Sequence, residues 1–201
     1  MIDTDITIVL DRSGSMSECK STTIEGFNTF ARTQKEVVGE AVLTLVQFDD
    51  QYQVDYEGRS LHNTNYLNDE TYVPRGLTAL LDAIGKTIRM TENRVNRTNP
   101  NKIIFVIQTD GLENASKEYT KSQINEMISH LKNSHNWQFV FLGANQDAIK
   151  TADSYGIAKT HAYTYIVGQE INANSVLSAS ITSYRDGTTM EVMMNKDYDD
   201  N

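Results

Sequence analysis

The 201-residue sequence has few of the features that mark a membrane protein or a disulfide-rich scaffold. A single cysteine, Cys19, excludes an internal disulfide and leaves no zinc ligand set, so we expect a partly buried thiol. No apolar stretch approaches the roughly 18 residues that span a bilayer. The chain begins directly with a strand-like segment, so no signal peptide is expected. These absences together predict a cytoplasmic protein.

Positive charge is also scarce. Lys and Arg number 18 against 27 Asp and Glu, which gives a formal net charge of −9. No basic face is visible that could neutralise phosphates, so neither nucleic acid nor an anionic membrane is an expected partner. An acidic chain can concentrate cations, which is compatible with metal binding without demonstrating it.

Strand-like apolar segments alternate with helical patterns along the whole chain. Two residues separate the predicted strands at 42–48 and 51–56, a gap that requires a hairpin. The other predicted strands cover 6–10, 103–107, 137–142 and 161–167. The predicted helices cover 24–38, 77–88, 124–131, 145–155 and 170–184.

This alternation predicts an α/β fold in which helices cover both faces of a mostly parallel sheet. The hairpin places one antiparallel strand at the edge of the sheet. Residues 58–76 are polar and predicted to form a loop. We expect a single domain over residues 1–194, followed by a frayed acidic tail at 195–201.

Side chains with oxygen ligands follow the predicted strands at one edge of the sheet. Asp11, Ser13 and Ser15 come directly after the first strand, Asp110 follows the most hydrophobic strand, and Thr78 lies where the long loop enters a helix. Ligands of such sheets bind at the carboxyl ends of the strands. Carboxylates and hydroxyls suit Mg²⁺, Mn²⁺ or Ca²⁺. Mg²⁺ fits best, because two acids are few for Ca²⁺ whereas Mg²⁺ keeps several waters.

Three short motifs resemble the metal-ion-dependent adhesion site (MIDAS) of von Willebrand factor type A (VWA) domains: Asp11-x-Ser13-x-Ser15, Thr78 and Thr109-Asp110-Gly111. The resemblance covers nearly the whole chain, and no motif position is substituted. It implies a three-layer, doubly wound fold with six strands in the order 3-2-1-4-5-6. It also implies that the three hydroxyls touch the metal while the two carboxylates hold it mostly through waters.

The resemblance further implies a non-catalytic function. In this family an Asp or Glu of a partner protein completes the coordination of the metal, so we expect an unidentified protein partner. The absence of a signal peptide or appended domain makes the chain similar to small free-standing VWA proteins of bacteria and phages, which often belong to multi-protein assemblies.

Each motif taken alone has a simpler explanation. Asp11 to Ser15 could be a turn that caps the first helix, Thr78 could be an N-cap, and Asp110-Gly111 could be an ordinary turn. Because the three occur in order and at predicted strand ends, the combination favours a metal site.

Two other functions use the same residues differently. A Mg²⁺-dependent phosphoryl-transfer enzyme could use Asp11 as nucleophile, but it would need an acid two residues later, where this chain has Ser13. Alternatively, the partner of a VWA scaffold could dock away from the metal. A dinucleotide-binding enzyme is not expected, because no G-x-G-x-x-G motif follows the first strand.

Five further residues near this edge are candidates for a rim that contacts the partner. Asp49 and Asp50 could form an acidic rim, although a hairpin turn is the simpler interpretation. Tyr66 and Tyr72 could supply interface contacts, or they could pack under the long loop. Glu113 could flank the metal.

Overall fold

The computed structural model describes residues 2–135, 137–144 and 148–192. Six strands form one sheet in the order β3-β2-β1-β4-β5-β6. The strands are β1 (Thr4–Asp11), β2 (Ala41–Phe48), β3 (Tyr52–Ser60), β4 (Lys102–Thr109), β5 (Gln138–Ala144) and β6 (Ala162–Tyr165). The helices are α1 (Lys20–Glu36), α2 (Leu80–Thr98), α3 (Lys121–His135), α4 (Ala148–Ser154) and α5 (Glu170–Arg185). Among these described helices, none is long and apolar enough to cross a membrane.

The sheet confirms the predicted α/β fold, its strand order and its antiparallel edge. β1 pairs in parallel with β2 and β4, β5 pairs in parallel with β4 and β6, and β2 and β3 form the antiparallel hairpin. Parallel strands end at the same edge, so the segments after β1 and β4 come together. That edge carries the predicted site.

Some predicted boundaries were wrong for identifiable reasons. β3 extends beyond residue 56, because pairing with β2 resumes after an irregularity and reaches Ser60. α2 begins at Leu80 and not at Leu77, because the backbone of Thr78 bonds to the segment after β4. Residues 145–147 of the predicted fourth helix and the acidic tail at 195–201 lie outside the described residues.

The two faces of the sheet carry separate apolar layers. Alternate residues of β1, namely Ile6, Ile8 and Leu10, pack in one layer with side chains of α1 and α5. Val9 belongs to the other layer, which includes side chains of α2, α3 and α4. The period-two alternation of a strand produces this division, and the result is the three-layer arrangement.

Polar residues interrupt the second layer beneath α2. Asp5 of β1 is buried, and Arg94 of α2 donates from Nε and Nη2 to its two carboxylate oxygens at 2.9 and 2.8 Å. The same guanidinium donates to Thr7 Oγ1 at 3.0 Å. This bidentate pair fixes α2 against β1, and thereby helps to position the start of α2 beside the end of β1.

Candidate metal site at the carboxyl edge of the sheet

Asp11 is the last residue of β1 and is fully buried. Its Oδ1 accepts the backbone N–H of Ser13 at 2.6 Å, and its Oδ2 accepts the hydroxyl of Thr109 at 2.5 Å. The first bond forms the tight turn after β1, and the second joins that turn to the end of β4. The carboxylate is therefore fixed between two neighbouring strands.

The two motif serines and Asp110 form a continuous set of side chains. Ser13 Oγ lies 3.2 Å from Ser15 Oγ, which in turn donates to Asp110 Oδ1 at 2.7 Å. Ser15 belongs to a short 3₁₀ turn, Gly14–Cys19, that leads into α1. The turn thus brings both hydroxyls toward the segment after β4.

Gly111 marks the point at which the donors converge. A methyl group placed on Gly111 would lie 3.1 Å from Thr78 Oγ1, 3.6 Å from Ser15 Oγ and 3.7 Å from Asp11 Oδ2. Three oxygen atoms, two from the turn after β1 and one from Thr78, therefore surround one small space, which stays open because residue 111 has no side chain.

Thr78 is held through its backbone, which leaves its hydroxyl pointing toward this space. Its N–H donates to Asn114 Oδ1 at 2.9 Å, and its carbonyl accepts the N–H groups of Asn114 and Ala115. The N-cap of α2 is Ala79, so the N-cap interpretation of Thr78 was wrong. The N–H of Leu81 instead donates to the Glu113 carboxylate at 2.9 Å.

Both acids of the set resist ionisation in the metal-free protein. Burial raises the pKa of Asp11 from 3.8 to about 6, despite the hydrogen bonds from Thr109 and Ser13 that lower it. Burial also raises the pKa of Asp110, and the nearby carboxylates of Glu170 and Glu18 add to this effect. A cation beside these two poorly solvated carboxylates would stabilise their charged forms and lower both pKa values.

Two residues predicted for the partner-contacting rim lie beneath the surface. Tyr72 is buried, and its hydroxyl donates to the backbone carbonyl of Asp11 at 2.7 Å. Asp49 is buried in the hairpin turn, where Oδ2 accepts Arg12 Nε at 3.1 Å and Arg75 Nε at 2.9 Å. Neither side chain can belong to an exposed rim, so that prediction was wrong for both.

The other three rim candidates differ in accessibility. Asp50 is exposed in the hairpin turn. Tyr66 is 44% exposed, and Lys35 Nζ lies 4.4 Å from the centre of its ring. Glu113 is partly buried, and besides Leu81 it accepts the N–H groups of Ala115 and Ser116, so it supports the loop after β4.

Several supporting residues escaped the sequence analysis. Arg12 and Arg75 pair with Asp49 across three segments, and the backbone N–H of Arg75 donates to the carbonyl of Arg12 at 2.8 Å. No local pattern signals contacts between residues so far apart in sequence. Cys19 is buried and its pKa rises to about 12 through burial, as expected of an inert thiol.

The donor set fits a hard divalent cation. Within residues 2–135, 137–144 and 148–192, no three His, Cys, Asp or Glu side chains cluster as metal ligands. Oxygens of Thr78, Ser15 and Asp11 instead lie around the space beside Gly111, and Ser15 Oγ contacts those of Ser13 and Asp110. Hydroxyls and carboxylates are oxygen donors suited to Mg²⁺, Mn²⁺ or Ca²⁺.

Solved structures of known proteins share this fold. The vWF domain of the type V pili tip protein Mfa5 from Porphyromonas gingivalis gives a TM-score of 0.69 at 11% identity, over 96% of this chain and 98% of that one. Proximal thread matrix protein 1 of the mussel byssus gives a TM-score of 0.64 at 15% identity. The match covers 92% of this chain, which spans about half (47%) of the mussel protein. The TRAP protein of Plasmodium vivax gives a TM-score of 0.57 at 16% identity, over 85% of this chain and 71% of that one.

Some of these proteins carry metals. A structure of the mussel protein has a zinc-occupied MIDAS motif, and the Plasmodium protein is manganese-loaded. At such low identities the likeness shows the fold alone.

Comparison with curated proteins gave no match. Comparison with known families matches residues 5–178 to the von Willebrand factor type A domain. The chain is therefore a member of the VWA family, whose domains often depend on a metal and mediate protein interactions.

Proposed function

We propose that this VWA domain holds a divalent cation in a complete MIDAS and uses it to bind an acidic side chain of a partner protein. The proposed ligands are Asp11, Ser13, Ser15, Thr78 and Asp110. The observation that carries the proposal is the convergence of Thr78, Ser15 and Asp11 oxygens on the space beside Gly111. Mg²⁺ is the cation we propose first, with Mn²⁺ and Ca²⁺ as alternatives.

The proposed ligands are of two kinds, neutral hydroxyls and charged carboxylates. The hydroxyls of Ser13, Ser15 and Thr78 are neutral donors, and the carboxylates of Asp11 and Asp110 supply the negative charge. A bound cation would supply an electrophilic position for an anionic oxygen of the partner. Since most of the donors are neutral, such a position favours a carboxylate over a neutral ligand.

The residue two positions after Asp11 supports the proposal of a non-catalytic role. An aspartate nucleophile needs an acid close by, and the residue two positions later is Ser13, whose hydroxyl lies beside Ser15. The relatives of this fold include a pilus tip protein and a pilus adhesin. We propose a bacterial or phage assembly as its setting, which rests on the resemblance of its motifs to those of the family.

Partner capture with a matched pair of serine variants tests the proposal. Ser15 and Ser17 are both exposed in the same 3₁₀ turn, but only Ser15 faces Asp110. Immobilised wild type and Ser17→Ala should retain the same partner in Mg²⁺ and lose it in EDTA. Ser15→Ala should lose it in both. Replacing one acidic residue of the captured protein should reproduce the loss.

Two outcomes would contradict the proposal. Capture that survives both EDTA and Ser15→Ala would mean that the partner docks away from the metal. Mg²⁺-dependent hydrolysis of a simple phosphomonoester, abolished by Asp11→Ala, would instead support phosphoryl transfer.

A further inference from the structure

Two large apolar side chains are exposed beside the proposed metal ligands. Leu77 precedes Thr78 and is 57% exposed, and Leu112 follows Gly111 and is 71% exposed. The segments that carry them are joined, since the N–H of Asn114 donates to the carbonyl of Thr78. Single exposed apolar residues are common. Two that flank one candidate site, on segments tied together, form an apolar surface around it.

A groove begins at Leu77 and runs away from the site between the hairpin turn, the start of α2 and the loop after β4. Its volume is about 480 Å³. Its lining is mixed. The apolar members are Leu77, which is exposed, Tyr52 and Ala79, which are partly exposed, and the buried Phe48 and Ala83. Because Leu77 and Thr78 are adjacent, the groove opens about 3.8 Å along the backbone from a proposed ligand.

Charged side chains of both signs line the groove, among them Asp50, Asp82, Glu118, Lys86 and Lys117. Lys86 Nζ lies 2.7 Å from a carboxylate oxygen of Glu118. Asp82 accepts three backbone N–H groups from residues 117–119, which lower its pKa although burial acts to raise it. Because both signs are present, the groove carries no strong excess of one charge, and Leu77 supplies its exposed apolar surface. The adjoining metal site, as proposed, would offer a position for a carboxylate.

We propose that the partner presents an acidic residue with a large apolar residue within about three positions of it, as an extended segment advances about 3.3 Å per residue. The carboxylate occupies the metal site, and the apolar side chain packs on Leu77 and in the groove. This inference rests on the proposed function and specifies the partner's sequence. Such a segment would match the domain in two ways. Its carboxylate would bind the cation, and its apolar side chain would pack on apolar surface.

A displayed library of random twelve-residue peptides tests this arrangement. The library is bound to the domain in MgCl₂ and eluted with EDTA, so that metal-dependent binders are collected. We expect enriched peptides to contain Asp or Glu with Leu, Ile, Met or Phe within three positions. The strongest binder, made synthetically, should bind Leu77→Ser about tenfold more weakly, a loss typical of removing an apolar anchor.

A matched control uses Val38, which is 91% exposed and precedes β2 at the opposite edge of the sheet. Val38→Ser should bind the peptide like wild type, and all variants should bind Mg²⁺ equally. EDTA-eluted peptides with an acid but no apolar neighbour, or an unchanged affinity in Leu77→Ser, would overturn the inference and leave the proposed function standing. A library without any EDTA-sensitive binder would contradict the proposed function itself.

Discussion

At the scale of single residues, Asp11 is positioned for cation binding, and its burial lowers the folding stability of the protein without metal. Its carboxylate is buried at the end of β1 and accepts hydrogen bonds from Ser13 and Thr109. Those bonds hold the side chain in one orientation, yet burial still raises its pKa to about 6. The carboxylate is thus positioned for a cation at some expense to the metal-free fold.

Asp11→Asn should stabilise the metal-free protein at pH 7.5. Because the folded pKa of about 6 lies above the ordinary 3.8, proton binding favours folding. That contribution is complete below about pH 4 and is lost as the pH rises through about 6. An asparagine keeps the shape without the charge, for a gain of at most about 3 kcal/mol. Thermal unfolding in EDTA measures it.

The size of that stabilisation depends on pH. At pH 4, where Asp11 is mostly protonated, the variant and wild type should unfold at nearly equal temperatures. The variant should also lose any stabilisation by Mg²⁺ at pH 7.5. A variant less stable than wild type in EDTA at pH 7.5 would mean that the hydrogen bonds outweigh the burial of the charge.

Asn114→Ala tests a residue that positions Thr78 without being a proposed ligand. Asn114 is exposed and its side chain accepts the N–H of Thr78, so its loss should cost about 1 kcal/mol of folding stability or less. Mg²⁺ affinity, measured by calorimetric titration, should fall about tenfold or more, as when supports of metal ligands are removed. Asn125→Ala on α3, which removes a hydrogen bond to the carbonyl of Ser154 on α4, should leave that affinity unchanged.

At the scale of secondary-structure elements, the pairing of Arg94 with Asp5 joins α2 to β1. Arg94→Met should destabilise the fold by about 3–5 kcal/mol, because it leaves the Asp5 carboxylate buried without its cation. The double variant with Asp5→Leu should recover most of that loss, since the remaining pair is apolar. Urea unfolding of the three proteins measures both effects. Equal stability of the single and double variants would contradict this account.

At the scale of the whole molecule, the sequence predicts the fold well. The apolar segments locate all six strands, and the two-residue gap after β2 predicts the hairpin. The motifs after β1 and β4 predict which side chains meet, because parallel strands end at one edge. These features are local or follow from topology, so they can be inferred from one sequence.

The features that the sequence could not predict depend on contacts between distant segments. The sequence leaves a rim position open for Asp49 and Tyr72 beside a hairpin turn and packing under the loop. Their partners in the interior, Arg12 and Arg75 for Asp49 and the carbonyl of Asp11 for Tyr72, decide the choice. Hydropathy is equally uninformative about Asp5, whose buried position depends on a residue 89 positions later. Partners of this kind follow from tertiary packing alone.

The central claim is that one divalent cation binds among Asp11, Ser13, Ser15, Thr78 and Asp110. Crystals grown with MnCl₂ and measured near the manganese absorption edge test it directly. We expect one strong anomalous peak beside Gly111, within coordinating distance of oxygens of these residues or of waters that they hold, and we expect its loss in Asp11→Asn. A peak at another position, or crystals without any anomalous peak, would contradict the claim.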